Sequence, residues 1–150
     1  MATHGTDRTA EVTWQGDLTG GEGTIERVGS GALGPLPITW TARAEEPNGL
    51  TSPEELIAAA HAACFSMALS LGLSDAGHPP SSVNTAARVH LRVVGGAPAI
   101  QQIDLTTEAD VPGLGPEEIQ DCAEQAKSSC IISRALGGVA QINLSATLAS

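Results

Sequence analysis

The chain has 150 residues, enough for one domain with its own core, and its 41% apolar and 16% charged composition is globular rather than disordered. A net charge of −10, from 17 acidic and 7 basic residues with no basic run, excludes nucleic acid and anionic membrane surfaces as partners. The aromatic complement is Trp14, Trp40 and Phe65, so the core must be built from small and aliphatic side chains, which bury little area each and favour a large subunit interface.

Taken in chain order, the N-terminal third reads as strands. Ala10, Val12 and Trp14 alternate with polar residues, and Gly20-Gly21 and Gly29 to Gly34 supply turns. Ile38, Trp40, Ala42 and Ala44 alternate with Thr39, Thr41, Arg43 and Glu45, which predicts a strand with Arg43 on the face opposite Trp40. After Asn48-Gly49 comes a helix start: Ser52 as N-cap, Pro53 in the first turn, and Glu55 three residues after the cap. From Leu56 to Leu73 the pattern is apolar nearly all round, as expected of a central helix covered on every side. His61, Ser66 and Ser70 interrupt it, and two acids precede it, so it reads as a core helix and not a membrane span.

Two strands follow, around Ala87–Val93 and Ile103–Ala109, joined by Gly95-Gly96-Ala97-Pro98. Gly115-Pro116-Glu117-Glu118 opens a second helix to about Ser128, and a short helical segment runs from Ile131 to Leu136. A last strand carries Ala140, Ile142, Leu144, Ala146 and Leu148 on one face. The order predicts a single α+β domain, 1–150, with mainly antiparallel sheets around the long helix.

The first seventeen residues carry His4, Asp7, Arg8 and Glu11 with no apolar stretch, so no secretory signal is expected and the cytoplasm is the expected compartment. Three cysteines in a reducing compartment are not a disulfide framework; they are packed thiols, metal ligands or redox groups. No close ligand pair such as Cys-x-x-Cys occurs, and no metal or cofactor is expected. Cys64, set among alanines in mid-helix, is by default inert packing. A second cysteine at a helix junction, a candidate activating cation and acids at the helix start make it a candidate nucleophile instead.

The stretch Thr51 to Leu73, with Glu54-Glu55-Leu56 and Ala59-Ala60-His61-Ala62-Ala63-Cys64-Phe65-Ser66-Met67, resembles the central helix of the OsmC/Ohr proteins, the osmotically inducible and organic hydroperoxide resistance proteins. The likeness extends to Trp14-Gln15-Gly16-Asp17, Thr41-Ala42-Arg43, Val111-Pro112-Gly113 and the segment from Ala126 to Leu136 around Cys130, and is closer to the OsmC branch. The resemblance implies an intertwined homodimer with active sites at the subunit interface and peroxidase activity toward organic hydroperoxides. It matches Cys64 to the peroxidatic cysteine, Cys130 to the resolving cysteine, and Arg43 and Glu54 to the pair that activates the thiol. It also implies an external dithiol reductant, commonly of the lipoyl type. The family often has proline directly after the resolving cysteine; here Ile131 stands there.

The chemistry fits these residue types. A thiol among alanines has a raised pKa, and a guanidinium both stabilises the thiolate and donates to the departing oxygen. Glu54 and Cys64 are ten positions apart, about 15 Å on a straight helix. Either the helix breaks between them, or Glu54 serves the partner chain's Cys64. Glu55 is taken as the capping residue and Glu54 as the functional one, an assignment that could be reversed. Cys122, eight positions before Cys130, is read as structural, and His61 as a packed or hydrogen-bonded histidine. Arg88, His90 and Arg92 read as a solvated strand face, and Arg134 as a surface residue with a secondary claim to substrate contact. Two other functions compete with the peroxidase: a non-catalytic small-molecule binding module and a thiol redox sensor on the same fold.

Overall fold

The computed structural model describes residues 4–150, and its internal contacts divide the chain into an N-terminal unit ending at Pro53 and a C-terminal unit, Glu54–Ser150.

The N-terminal unit is a three-stranded antiparallel sheet, β1 (Ala10–Gln15), β2 (Glu22–Val28) and β3 (Leu36–Ile38), in that order. The Trp14-Gln15-Gly16-Asp17 stretch builds the first turn. Trp14 Nε1 lies 3.2 Å from the carbonyl oxygens of both Gly16 and Asp17, and Asp17 Oδ1 accepts from Gly20 N at 2.6 Å.

The predicted strand through Arg43 is not formed. Only Leu36–Ile38 is extended, and Trp40–Ala44 is a short helix, α1. Thr39 decides this locally: its Oγ1 accepts from Ala42 N at 3.0 Å, an N-cap that satisfies a first-turn donor and starts a helical turn over an Ala-containing segment. Helical spacing puts Arg43 on the same side as Trp40 rather than opposite it. The guanidinium carbon stands 6.0 Å from the indole centroid, within cation–π range.

In the C-terminal unit, α2 (Pro53–Asp75) is one uninterrupted helix of 23 residues. Glu54 and Glu55 occupy its first turn, where the helix dipole favours negative charge. Its end is a Schellman motif: His78 N bonds to Leu73 O at 2.8 Å and Gly77 N to Ser74 O at 3.0 Å, with Gly77 at φ +88°. By length and composition α2 would also suit a membrane span. Its buried residues, however, form one stripe, Glu54, His61, Phe65, Leu69 and Leu73, and Phe65, Leu69 and Leu73 join the core of this unit. The expected cover on every side is therefore not supplied by the chain itself: Met67 is 71% and Leu71 51% exposed.

Behind that stripe lies a second sheet, ordered β4 (Ser82–Val94), β5 (Ala97–Asp110), β6 (Gln141–Leu148). β4 and β5 form a long antiparallel hairpin closed by Gly95-Gly96, both at positive φ (+59° and +84°), as a tight two-residue turn of matching twist requires. The strand pairs described are mainly antiparallel, as expected; the exception is β6, which pairs with β5 in parallel, Gln102 opposite Gln141 through Ala109 opposite Leu148. The reason is the connection: α3 (Pro116–Ser129) and α4 (Ile131–Ala135) carry the chain back to the end at which β5 began. α3 starts as the sequence predicts, with Pro116 in the first turn and Glu118 Oε2 accepting from Gly115 N at 2.8 Å. It also covers the edge of β6, where Gln120 bonds to Ala146 N and Leu144 O, and Lys127 Nζ to Ile142 O. Ile119, Ala123 and Ala126 of α3 meet Phe65, Leu69 and Leu73 of α2, Leu105 and Ala109 of β5, and Cys130 in one core cluster.

Candidate active site

Two elements bring the candidate thiols together. Cys64 lies one position before buried Phe65 on α2, at the margin of the packed stripe, and is half-buried. Cys130 ends α3 and begins α4. Its φ/ψ of −61°/120° bends the chain there, its N–H still bonds to Ala126 O at 2.8 Å, and its C=O already accepts from Arg134 N at 3.0 Å. The bend turns the Cys130 side chain into the core, where it is 1% exposed and belongs to the cluster against which Cys64 packs. All three cysteines are free thiols. Ile131 occupies the first position of α4, where a backbone N–H has no intrahelical acceptor. Isoleucine there forms the same helix start that proline would favour.

Burial pushes the Cys130 thiol up, as it must for a group that would carry charge in an apolar site. Four donors act the other way: the backbone N–H and hydroxyl of Ser133, the Cys64 thiol and the Ile132 backbone. Together they hold Cys130 below the ordinary thiol value. Ser133 N stands 3.5 Å from the sulfur. His61, one turn before Cys64, is fully buried with Nε2 2.7 Å from Ser133 Oγ, and burial lowers its pKa, which favours the neutral ring.

Sequence reasoning gave Ser133 no role. The available signal was its position three after Cys130, the spacing at which a capping side chain meets a backbone N–H in the first turn.

Glu54 and Cys64 both lie on the unbroken α2, so about 15 Å of helix separates them and they share no site within one chain. Glu54 is buried. Arg43 belongs to the N-terminal unit, where it is exposed and walls a pocket of about 240 Å³ with Trp14, Leu18, Ile38, Trp40 and Pro53. A cation at the rim of a mostly apolar pocket suits an organic group that ends in a polar oxygen. A larger groove of about 340 Å³ in the same unit is lined by Gln15, Glu22, Glu26 and neutral residues, and offers neither thiol nor cation. Cys122 lines a shallow groove between α2 and α3 with Ala68, Gly72 and Ser129. Arg134 is exposed on α4. His90, expected on a solvated face, instead pairs with Asp104 at 2.7 Å, and that carboxylate also accepts from Gln102 at 2.7 Å and Asn143 at 2.9 Å.

An α+β fold with a long apolar helix whose mid-helix thiol packs against a second thiol at a helix junction defines a class of small thiol proteins. Comparison with known proteins narrows the class. The family described as OsmC-like protein matches residues 46–145, and the chain belongs to that family. It is 44% identical over 126 residues to Peroxiredoxin OsmC of Escherichia coli K12, covering 84% of this chain and 87% of that protein. Among solved structures it is similar to the organic hydroperoxide resistance protein OhrB of Bacillus subtilis, with TM-score 0.66, 26% identity, and coverage of 94% of this chain and 98% of that one. A Legionella pneumophila OsmC structure shares the fold at TM-score 0.68 and 23% identity, covering 98% of this chain and 99% of that one.

Proposed function

We propose that this protein is a thiol peroxidase that reduces organic hydroperoxides to alcohols by a two-cysteine mechanism. The observation that carries the reading is the packing of Cys64 against the core cluster that holds Cys130, in a chain 44% identical to a peroxiredoxin. The Cys64 thiolate attacks the terminal oxygen of R–O–OH. A sulfur–oxygen bond forms, the O–O bond breaks, and the alkoxide leaves as the alcohol after taking a proton. The resulting sulfenic acid faces Cys130, which displaces hydroxide to give the disulfide before a second peroxide can over-oxidise Cys64. An external dithiol, of the lipoyl type in the family it resembles, then returns both thiols.

Arg43 activates Cys64 and steadies the departing oxygen, and Glu54 orients the guanidinium. Because a continuous α2 holds Glu54 away from its own Cys64, Glu54 serves the partner chain, in a homodimer whose interface covers Met67 and Leu71. The 1–150 chain acts as a single OsmC-like domain in the cytoplasm, where free thiols stay reduced. A steady-state assay with a supplied dithiol tests the reading. Turnover of cumene hydroperoxide should exceed that of hydrogen peroxide, and a lipoyl dithiol should sustain it. Absence of turnover with every hydroperoxide and dithiol, alongside binding of the same organic molecules, would make the fold a binding module.

A further inference from the structure

His61 is fully buried and takes no part in the reaction just described. Its Nε2 lies 2.7 Å from Ser133 Oγ, and among the described residues its Nδ1 meets no hydrogen-bonding atom. A neutral imidazole has two tautomers. With the proton on Nδ1 the ring would bury an unanswered N–H; with it on Nε2 only a lone pair goes unanswered, and orphaned buried N–H groups are the rarer defect. Nε2–H therefore donates to Ser133 Oγ. That fills a lone pair of the hydroxyl and leaves its hydrogen free to turn toward the Cys130 sulfur, to which Ser133 donates its backbone N–H at 3.5 Å. Turned that way, the hydroxyl completes a directed chain of donors from His61 through Ser133 to the sulfur.

We propose that His61 and Ser133 stabilise negative charge on the Cys130 sulfur for the resolving step, Ser133 touching the reacting sulfur and His61 acting through it as a positioning residue. The proposal rests on the two-cysteine reading above. In that step the Cys130 electron pair forms the S–S bond and the S–O bond of the Cys64 sulfenic acid breaks. The departing hydroxide takes up the proton that Cys130 gave up, leaving disulfide and water. The sulfenic sulfur is reduced as the Cys130 sulfur is oxidised, so no outside reagent is needed. Ser133 and His61 keep their protons throughout. A hydroxyl alone rotates among acceptors; the imidazole N–H fixes the rotor toward sulfur, and neighbours polarised in sequence strengthen each other.

The test has two arms. In reduced protein, isotope-tagged alkylation with peptide-resolved mass spectrometry gives the pH midpoint of Cys130 reactivity with no peroxide present. Ser133→Ala and His61→Leu should raise that midpoint, and His61→Gln, whose amide donor reaches the Nε2 position, should bring it back toward wild type. In the second arm, one equivalent of cumene hydroperoxide is added and the Cys64 sulfenic acid is trapped with dimedone at timed intervals. Ser133→Ala should form the sulfenic acid at the wild-type rate and convert it to disulfide about tenfold more slowly, the loss expected for one charge-assisted hydrogen bond. An unmoved Cys130 midpoint with an unmoved conversion rate in Ser133→Ala would overturn the proposal. A merely structural role would lower the melting temperature without shifting the midpoint. If His61→Leu fails to fold, Ser133→Ala and His61→Gln carry the test. If wild-type protein forms no Cys64–Cys130 disulfide, the two-cysteine reading falls and the resolving role with it, while the alkylation arm still decides whether His61 and Ser133 stabilise negative charge on Cys130.

Discussion

Cys130 occupies a position that by burial alone should keep a thiol protonated, yet donors from Ser133, Ile132 and Cys64 converge on it. Cys64 on its half-buried rim faces the opposite demand: it must meet a substrate from outside. Under the proposed two-cysteine mechanism the thiols divide the work, one reachable and one sheltered, and their variants should fail differently. Cys64→Ser should abolish turnover. Cys130→Ser should permit a single oxidation and then accumulate sulfinic or sulfonic Cys64, read by intact mass after excess hydroperoxide; a Cys130→Ser protein that turns over normally would remove it from the mechanism. For Arg43 the expectation is kinetic. Arg43→Ala should slow Cys64 oxidation at least about tenfold, a loss of ~1.4 kcal/mol in the barrier, whereas its exposed contact over Trp40 is worth only about 0.5–1 kcal/mol of stability. Arg43→Lys should recover part of the rate, since an ammonium keeps the charge without the planar fork. Normal oxidation in Arg43→Ala would remove the residue from the site.

At the scale of elements, the sequence was legible wherever one local rule acted alone. The caps and turn glycines placed α2 and α3 to within a residue or two, the β4–β5 hairpin followed from Gly95-Gly96, and strict alternation gave β6 its faces. It misled where two rules competed. The Ile38–Glu45 alternation reads as a strand, but the Thr39 cap and helix-favouring Ala42 and Ala44 win, and Arg43 turns to the Trp40 side. The direction of β6 was hidden because it depends on the whole α3–α4 return rather than on any local pattern. For the same reason the polar cluster across β4, β5 and β6 could not be foreseen from His90 alone. Asn143, Gln102 and His90, in that order, hold the Asp104 carboxyl down at about 2, against an ordinary value of 3.8. A depressed carboxylate stabilises the fold above its unfolded pKa and loses that contribution as pH falls through the folded value. Urea midpoints should thus place Asp104→Asn below wild type at pH 5, with the gap closing between about pH 4 and pH 2. A gap that stays constant to pH 2 would show that the cluster does not favour the ionised form.

At the scale of the whole molecule, the question is what covers α2. One stripe packs inside the chain while Met67 and Leu71 remain more than half exposed, and Glu54 is buried on the same unbroken helix, too far from Cys64 to act on it. The proposed twofold partner would resolve both, lending its own helix as cover and its Glu54 to the neighbouring site. Co-expressed Glu54→Ala and Cys64→Ser chains, each inactive alone, should then regain activity through heterodimers with one intact site. Heterodimers that form and stay inactive would return Glu54 to a purely structural role. The pairing of Cys64 with Cys130 is decided on the intact wild-type protein. It is treated with one equivalent of cumene hydroperoxide, and its disulfides are mapped by peptide mass spectrometry under non-reducing conditions. The predicted product is an intrachain Cys64–Cys130 disulfide in each subunit with Cys122 still a free thiol. A major disulfide through Cys122, or oxidation that leaves Cys64 and Cys130 both reduced, would contradict it.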